Sequence, residues 1–104
     1  MMDKLKWASE VMDRNLDEAM RYALKAHEMH EHCRAAADWC VEMAKAHMQF
    51  NTMGRGVMDH LMERFAEDPM NAGIAPGVTL VYKDKMADRI KKVSEIQAIL
   101  SMYK

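Results

Sequence analysis

The 104-residue chain is poor in the residues that interrupt or decorate a polypeptide: four glycines, two prolines, two cysteines and seven aromatic side chains in all. No apolar run approaches the 18 residues that a membrane span requires, which excludes a spanning helix. The first residues, Met1 to Ser9, alternate charged and apolar types without an apolar core, so they do not read as a secretory leader. Cys33 and Cys40 are accordingly expected as reduced thiols of a cytoplasmic protein. The length is that of one domain, which buries roughly 60–70% of its unfolded surface and cannot enclose a deep substrate cavity by itself.

Net charge is also missing. The formal charge is −1 with 30% charged residues, too balanced to imply a nucleic-acid or membrane partner. The balance is local, however: residues 78–104 carry six Lys/Arg against three Asp/Glu, and residues 1–77 carry nine against thirteen. The basic last segment is expected to lie against the acidic part of its own or a neighbouring chain. Lys83, Lys85, Arg89, Lys91 and Lys92 have no aromatic residues interleaved in the manner of a nucleic-acid stripe. No Gly-rich phosphate loop exists, and Gly54-Arg55-Gly56 lacks the strand and the lysine that such a loop needs. Asp59-His60 has no serine or cysteine at a spacing that suggests a nucleophile. No catalytic residue and no cofactor is implied.

What the chain has in quantity is methionine, 13 residues, and alanine, 14, beside only 18 Leu, Ile, Val and Phe together. Methionine fills irregular gaps and adapts to different partners, so a Met-rich helical surface points towards a binding face. Periodicity then gives the fold. Leu5, Ala8, Met12, Leu16, Ala19, Ala23 and Ala26 recur at intervals of three and four, and so do Ala36, Cys40, Met43, His47, Phe50, Gly54, Val57 and Leu61. One unbroken helix through both series would leave its seam without a partner, which favours a hairpin turning at His30 to Arg34. Pairing outward from that turn sets Leu5 near Leu61, Met12 near Gly54, Ala19 near His47 or Met48, and His27 near Cys40. Small residues face each other repeatedly, which permits a close approach of the two helices.

His47 falls on this seam and reads as a core histidine bonded to Asn51 or to Asn15. Asn15 followed by Glu18 resembles a capping box that would interrupt the first helix. Pro69 ends the hairpin, residues 69–78 read as a loop with Pro76-Gly77 in a type II turn, and Thr79 or Asp84 caps a last helix over 79–103. Met86, Ile90, Val93, Gln97 and Leu100 form its stripe, widened by Ile96, Ile99 and Tyr103. A stripe this broad predicts burial between chains as well as within one. The expected class is all-α: an antiparallel hairpin over 3–68 plus a C-terminal helix, one domain, assembled as an oligomeric helical bundle.

The densest group of candidate ligands is His27-Glu28-Met29-His30-Glu31-His32-Cys33. His27, His30 and Glu31 share a helical face, and the hairpin pairing would bring Cys40 to them, a set suited to zinc or another transition metal. A polar, solvated turn accounts for the same residues without a metal.

The run Tyr22-Ala23-Leu24-Lys25-Ala26, with Ala37-Asp38-Trp39 and Met43-Ala44-Lys45-Ala46-His47-Met48, resembles the helical hairpin of small ferritin-like proteins of the rubrerythrin type. The ending from Val81-Tyr82-Lys83 through Ile96 to Lys104 is similar to the tail of small proteins encoded by phages and prophages. The resemblance implies a bundle architecture. It does not extend to di-iron chemistry, which needs a Glu three residues before a His; the residues three before His27, His30, His32, His47 and His60 are Leu24, His27, Met29, Ala44 and Val57. The leading expectation is a non-enzymatic, homo-oligomeric interaction protein of phage type, accessory or inhibitory, binding a host or phage macromolecule. A metal protein using His27, His30, Glu31 and Cys40, and an oligomer that sequesters a small ligand such as a nucleotide, are the alternatives.

Overall fold

The computed structural model describes residues 2–102. Three helices run up, down and up: α1 over Met2–Met29, α2 over Arg34–Glu67 and α3 over Ala75–Ser101. There is no strand among the described residues. The molecule is a rod with extents of 58 × 18 × 15 Å, close to the length of α2, since 34 residues at about 1.5 Å each span roughly 50 Å.

The α1 stripe behaves as the spacing predicts: Leu5, Ala8, Met12, Leu16, Ala19, Ala23 and Ala26 are all buried. The helix is unbroken at Asn15. That side chain serves no cap; its Nδ2 donates to the Val11 carbonyl one turn back at 3.1 Å. The turn lies where polar residues crowd. The amides of His32 and Cys33 both donate to Met29 O, at 3.1 and 2.9 Å, and Cys33, with φ −152° and ψ 100°, opens α2. No described residue has a positive φ, so the connection needs no glycine and announces none.

On α2 the buried face is Ala37, Cys40, Ala44, Asn51, Met58, Met62 and Phe65. The sequence predicts a face through Ala36, Cys40, Met43, His47, Phe50, Gly54, Val57 and Leu61; Cys40 is buried, but the centre of the buried arc is rotated by about one residue, which leaves Phe50 and Val57 exposed. The cause is α3. The buried arc of α2 must serve two neighbours, so it centres between them rather than on α1.

Proline ends α2 as expected. Asp68 is extended, and its carboxylate accepts from Met70 N at 3.0 Å to start a 3-10 turn over Pro69–Asn71. Asn71 Nδ2 donates to the Phe65 carbonyl at 3.0 Å, satisfying a group in the last turn of α2. The expected loop over 69–78 is shorter than predicted, because α3 begins at Ala75, with Pro76 in its first turn. Proline costs nothing there, since first-turn amides have no intrahelical acceptor. A type II turn at Pro76-Gly77 would require a positive φ at Gly77, which the structure does not have. Thr79 and Asp84 therefore lie inside the helix, and Tyr103 is outside the described residues.

Two clusters form the core. One gathers Leu5, Ala8 and Met12 of α1 with Met58, Met62 and Phe65 of α2 and Ala75 and Tyr82 of α3; the other gathers Leu16, Ala19 and Ala23 with Ala44 and Ile96. They place the start of α3 beside the start of α1, so α3 runs parallel to α1. Most of the α3 stripe is used within the chain: Ile96 is buried, Met86, Val93, Ile99 and Leu100 are partly covered, and Ile90 is exposed.

Between the clusters the contact is polar. Arg89 of α3 is buried, and its Nε donates to Asp13 Oδ1 at 2.8 Å while Nη2 donates to the Ser9 carbonyl at 3.1 Å and to Ser9 Oγ. One turn on, Lys92 pairs with Asp17 at the surface. The basic last segment thus lies on acidic residues of its own chain.

Gly54 lies under Met12, and a Cβ there would come within 2.7 Å of Met12 Cγ and 3.2 Å of its Sδ, whereas a Cβ on Gly56 would touch nothing within 4 Å. Gly56→Ala should raise the melting temperature, because removing a helical glycine is worth about 0.8–1 kcal/mol, roughly 4–8 °C in a domain of this size. Gly54→Ala should lose that gain to overpacking of about 1–3 kcal/mol and melt below the wild type. Thermal denaturation of the two variants side by side checks the register of the hairpin. The Arg89 strut gives a second expectation. Asp13→Ala removes the charge partner of a buried guanidinium and should cost about 2 kcal/mol, while Asp17→Ala, at an exposed pair, should cost under about 1 kcal/mol. Urea unfolding of both measures the difference, and equal costs would mean that Arg89 does not depend on Asp13.

Candidate functional site

The proposed ligand cluster sits at the turn end of the rod. His27 is exposed in the last turn of α1, His30 is half-buried, Glu31 is exposed in the turn, and Cys40 is buried on the inner face of α2. Both cysteines are free thiols, Cys33 exposed and Cys40 buried. Among the described residues no group of three or more His, Cys, Asp or Glu side chains is gathered so as to hold a metal ion. The turn brings the four residues to one end of the molecule; it does not bring them to one point.

His47 is where the hairpin is polar inside. Its Nδ1 lies 3.0 Å from Asn15 Oδ1. Because that oxygen can only accept, Nδ1 carries the proton, and of the two partners the sequence leaves open, Asn15 is the one used. The ring stacks on Tyr22 with centroids 5.7 Å apart and an interplanar angle of 12°, and meets Phe50 edge-on at 6.0 Å and 85°. Asn15, Tyr22, His47 and Phe50 therefore line one groove between α1 and α2. Tyr22 is covered further by the Arg21 guanidinium, 5.5 Å from the ring centre. The Glu18 carboxylate, bonded to Arg21, holds that guanidinium above its usual pKa.

The floor of this groove opens onto the most unusual surface of the molecule. Phe50 belongs to a row of α2 residues, Ala36, Trp39, Met43, Ala46, Phe50, Met53 and Val57, spaced alternately by three and four. This is the a/d repeat of a coiled-coil seam carried over three heptads. The inner seam of α2 through Ala37, Cys40, Ala44, His47 and Asn51 follows the same repeat one residue later, so it is turned by about 100° on the helix. That inner seam is engaged by α1, and the outer one is partly open: Trp39 is 69% exposed, Phe50 53%, Met53 64% and Val57 48%, with Ala36, Met43 and Ala46 half-buried among them. An apolar face is usually used up by the fold, and a continuous unpartnered one marks an interaction surface. The periodicity was visible in the sequence; that one helix carries two such seams was not, because they overlap in a single hydrophobic series.

No helix is long and apolar enough to cross a membrane among the described residues. Compared with protein-family models, with curated proteins and with solved structures, the chain finds no match.

Zinc provides the check on the turn cluster. Stoichiometric zinc should leave the melting temperature unchanged, since a site with three or four ligands binding the native state alone would raise it by several degrees. A saturable rise that disappears in a His27→Ala, Cys40→Ala double variant would establish the metal reading instead.

Proposed function

We propose that the protein acts by binding rather than by catalysis, and that its outer α2 seam pairs with the same seam of a second copy. The observation that carries this reading is the row Trp39, Met43, Ala46, Phe50, Met53 and Val57, in which Trp39, Phe50, Met53 and Val57 are exposed and Met43 and Ala46 half-buried. A seam of this period is complementary to another helix of the same period, because each knob needs a hole between four residues of the facing helix.

The order of side chains favours self-pairing about a twofold axis. When two such seams run antiparallel about a centre between Ala46 and Phe50, Ala46 faces Phe50, Met43 faces Met53 and Trp39 faces Val57. Each layer joins an a position to a d position, as antiparallel coiled coils require, and each sets a larger side chain against a smaller or an adaptable one. Twofold pairing makes the contact isologous and closed. It would also bring two α1–α2 hairpins together as four helices, the bundle architecture that the ferritin-like resemblance implies, with α3 on the outer flank of each. Burying a Phe or Val fully contributes roughly 1.5–3 kcal/mol, and each exposed side chain of the seam would add part of that to the dimer. In a phage-type accessory or inhibitory protein, such a dimer is the unit that would present the remaining surface to a macromolecular partner.

Light scattering at tens of micromolar should report twice the 12.0 kDa chain mass. Phe50→Glu should give a folded monomer with an unchanged far-ultraviolet circular dichroism spectrum. Ala46→Phe should also weaken the dimer although it adds apolar surface, because it sets Phe against Phe50. A monomeric wild type would overturn the reading, and a dimer strengthened by Ala46→Phe would overturn the antiparallel register.

A further inference from the structure

The methionines of this chain are not equally placed. Met12 and Met58 are 2% and 0% exposed in the core, whereas on the outer α2 seam Met53 is 64% exposed and Met43 half-buried. In the antiparallel pairing of two seams Met43 of one copy faces Met53 of the other, and the twofold axis repeats that layer on both sides of the central Ala46 and Phe50 layers. The interface then holds four thioethers.

A thioether packs as an apolar group, yet its sulfur is open to two-electron oxidation. The sulfur gives an electron pair to one oxygen of a hydroperoxide, the O–O bond breaks, and the proton on the transferred oxygen passes to the departing oxygen, which with hydrogen peroxide leaves as water. Sulfur is oxidised and the peroxide reduced. The product is a polar, chiral sulfoxide, which disrupts Met-rich interfaces. The neighbours on the seam cannot satisfy it: Ala46, Phe50 and Val57 have no donor, and the indole N–H of Trp39 is the one side-chain donor in the row. Four sulfoxides in a dimer would meet two such donors, and a buried acceptor left unmade opposes pairing.

We propose that Met43 and Met53 are sites of oxidation by a peroxide, and that their conversion to sulfoxides releases the dimer. The inference rests on the seam pairing of the preceding section. Pairing covers both residues, so the reaction belongs to the free chain, and the dimer protects them by mass action. Met70, 89% exposed before α3, and Met102, 63% exposed at its end, lie off the seam. Their oxidation should be indifferent to pairing and should leave the dimer intact.

The test treats the full chain with hydrogen peroxide at micromolar and at hundreds of micromolar protein, and follows each methionine by peptide mass spectrometry. The reaction is stopped when Met53 is converted and Met12 is not, and dithiothreitol then restores oxidised thiols but not sulfoxides. Met53 should oxidise at least fivefold more slowly at the higher concentration, while Met70 keeps one rate. Light scattering should report a monomer with an unchanged far-ultraviolet circular dichroism spectrum, and methionine sulfoxide reductases with a dithiol should bring the dimer back. The Met43→Leu, Met53→Leu double variant keeps the apolar volume without the sulfur and should stay dimeric through the same treatment; if it does not pair at the outset, the reductases decide alone. A wild type that is monomeric before peroxide overturns the seam pairing and this inference with it. A wild-type dimer that survives conversion of Met43 and Met53 overturns the inference alone. So does a rate at Met53 that ignores protein concentration, a dissociation accompanied by loss of helix, a dimer that does not return once both sulfoxides are reduced, or release of a dimeric double variant by peroxide.

Discussion

The structure depends on how closely α1 and α2 can approach. Their inner seam is made of Ala8, Ala19, Ala23 and Ala26 on one side and Ala37, Ala44 and Gly54 on the other, so the helix axes can meet at the short end of the roughly 8–10 Å range. Small residues bury little apolar area each. The hairpin makes up for this by length, and by larger side chains towards the loop end, at Leu5, Met58 and Phe65. A narrow seam has no room for Trp39 or Phe50. Large apolar residues on α2 then have two places to go, under α3 or outside, and the outer seam is the result.

The third helix is held by a different kind of force. Its ends rest on apolar clusters, but its middle is fixed by one guanidinium reaching across to Asp13 and Ser9 of α1. Apolar contacts tolerate sliding by a turn, and a directional charge pair made by a buried guanidinium does not. Arg89 therefore specifies the register of α3 on the hairpin, a use of buried polar groups that is better attested than any gain in stability.

Much of this was legible in the sequence, for definite reasons. The α1 stripe was readable because charged residues fill many of the positions between its apolar ones. The turn was readable as a break between two periodic series, and the end of α2 as a proline. The rotation of α2 was not, because Ala36, Met43, Phe50 and Val57 interleave with Cys40, His47 and Gly54 in a single run of threes and fours, and nothing local says which set meets α1. The start of α3 was misread because Pro-Gly favours a turn and a first helical turn alike. Asn51 and Arg89 could not have been placed inside by pattern, since polar residues are mostly exposed and a period-3.6 series counts them as its hydrophilic gaps. The His cluster illustrates the converse. Spacing of three and four puts side chains on one face, but bringing them to a single point needs a geometry that the end of an open hairpin does not impose.

The placement of Arg89 has a consequence for the order in which the chain can assemble. The hairpin closes over a four-residue turn, and its contacts propagate outward from there as a zipper, each small in sequence separation near the turn. The bond from Arg89 to Asp13 spans 76 residues, so it can return little until the hairpin has closed and brought α1 alongside α3. The third helix is thus the late-docking element, and by the same token the one that detaches first when the molecule breathes. Its backbone amides are then expected to exchange through a partial opening that leaves the hairpin closed, rather than through global unfolding.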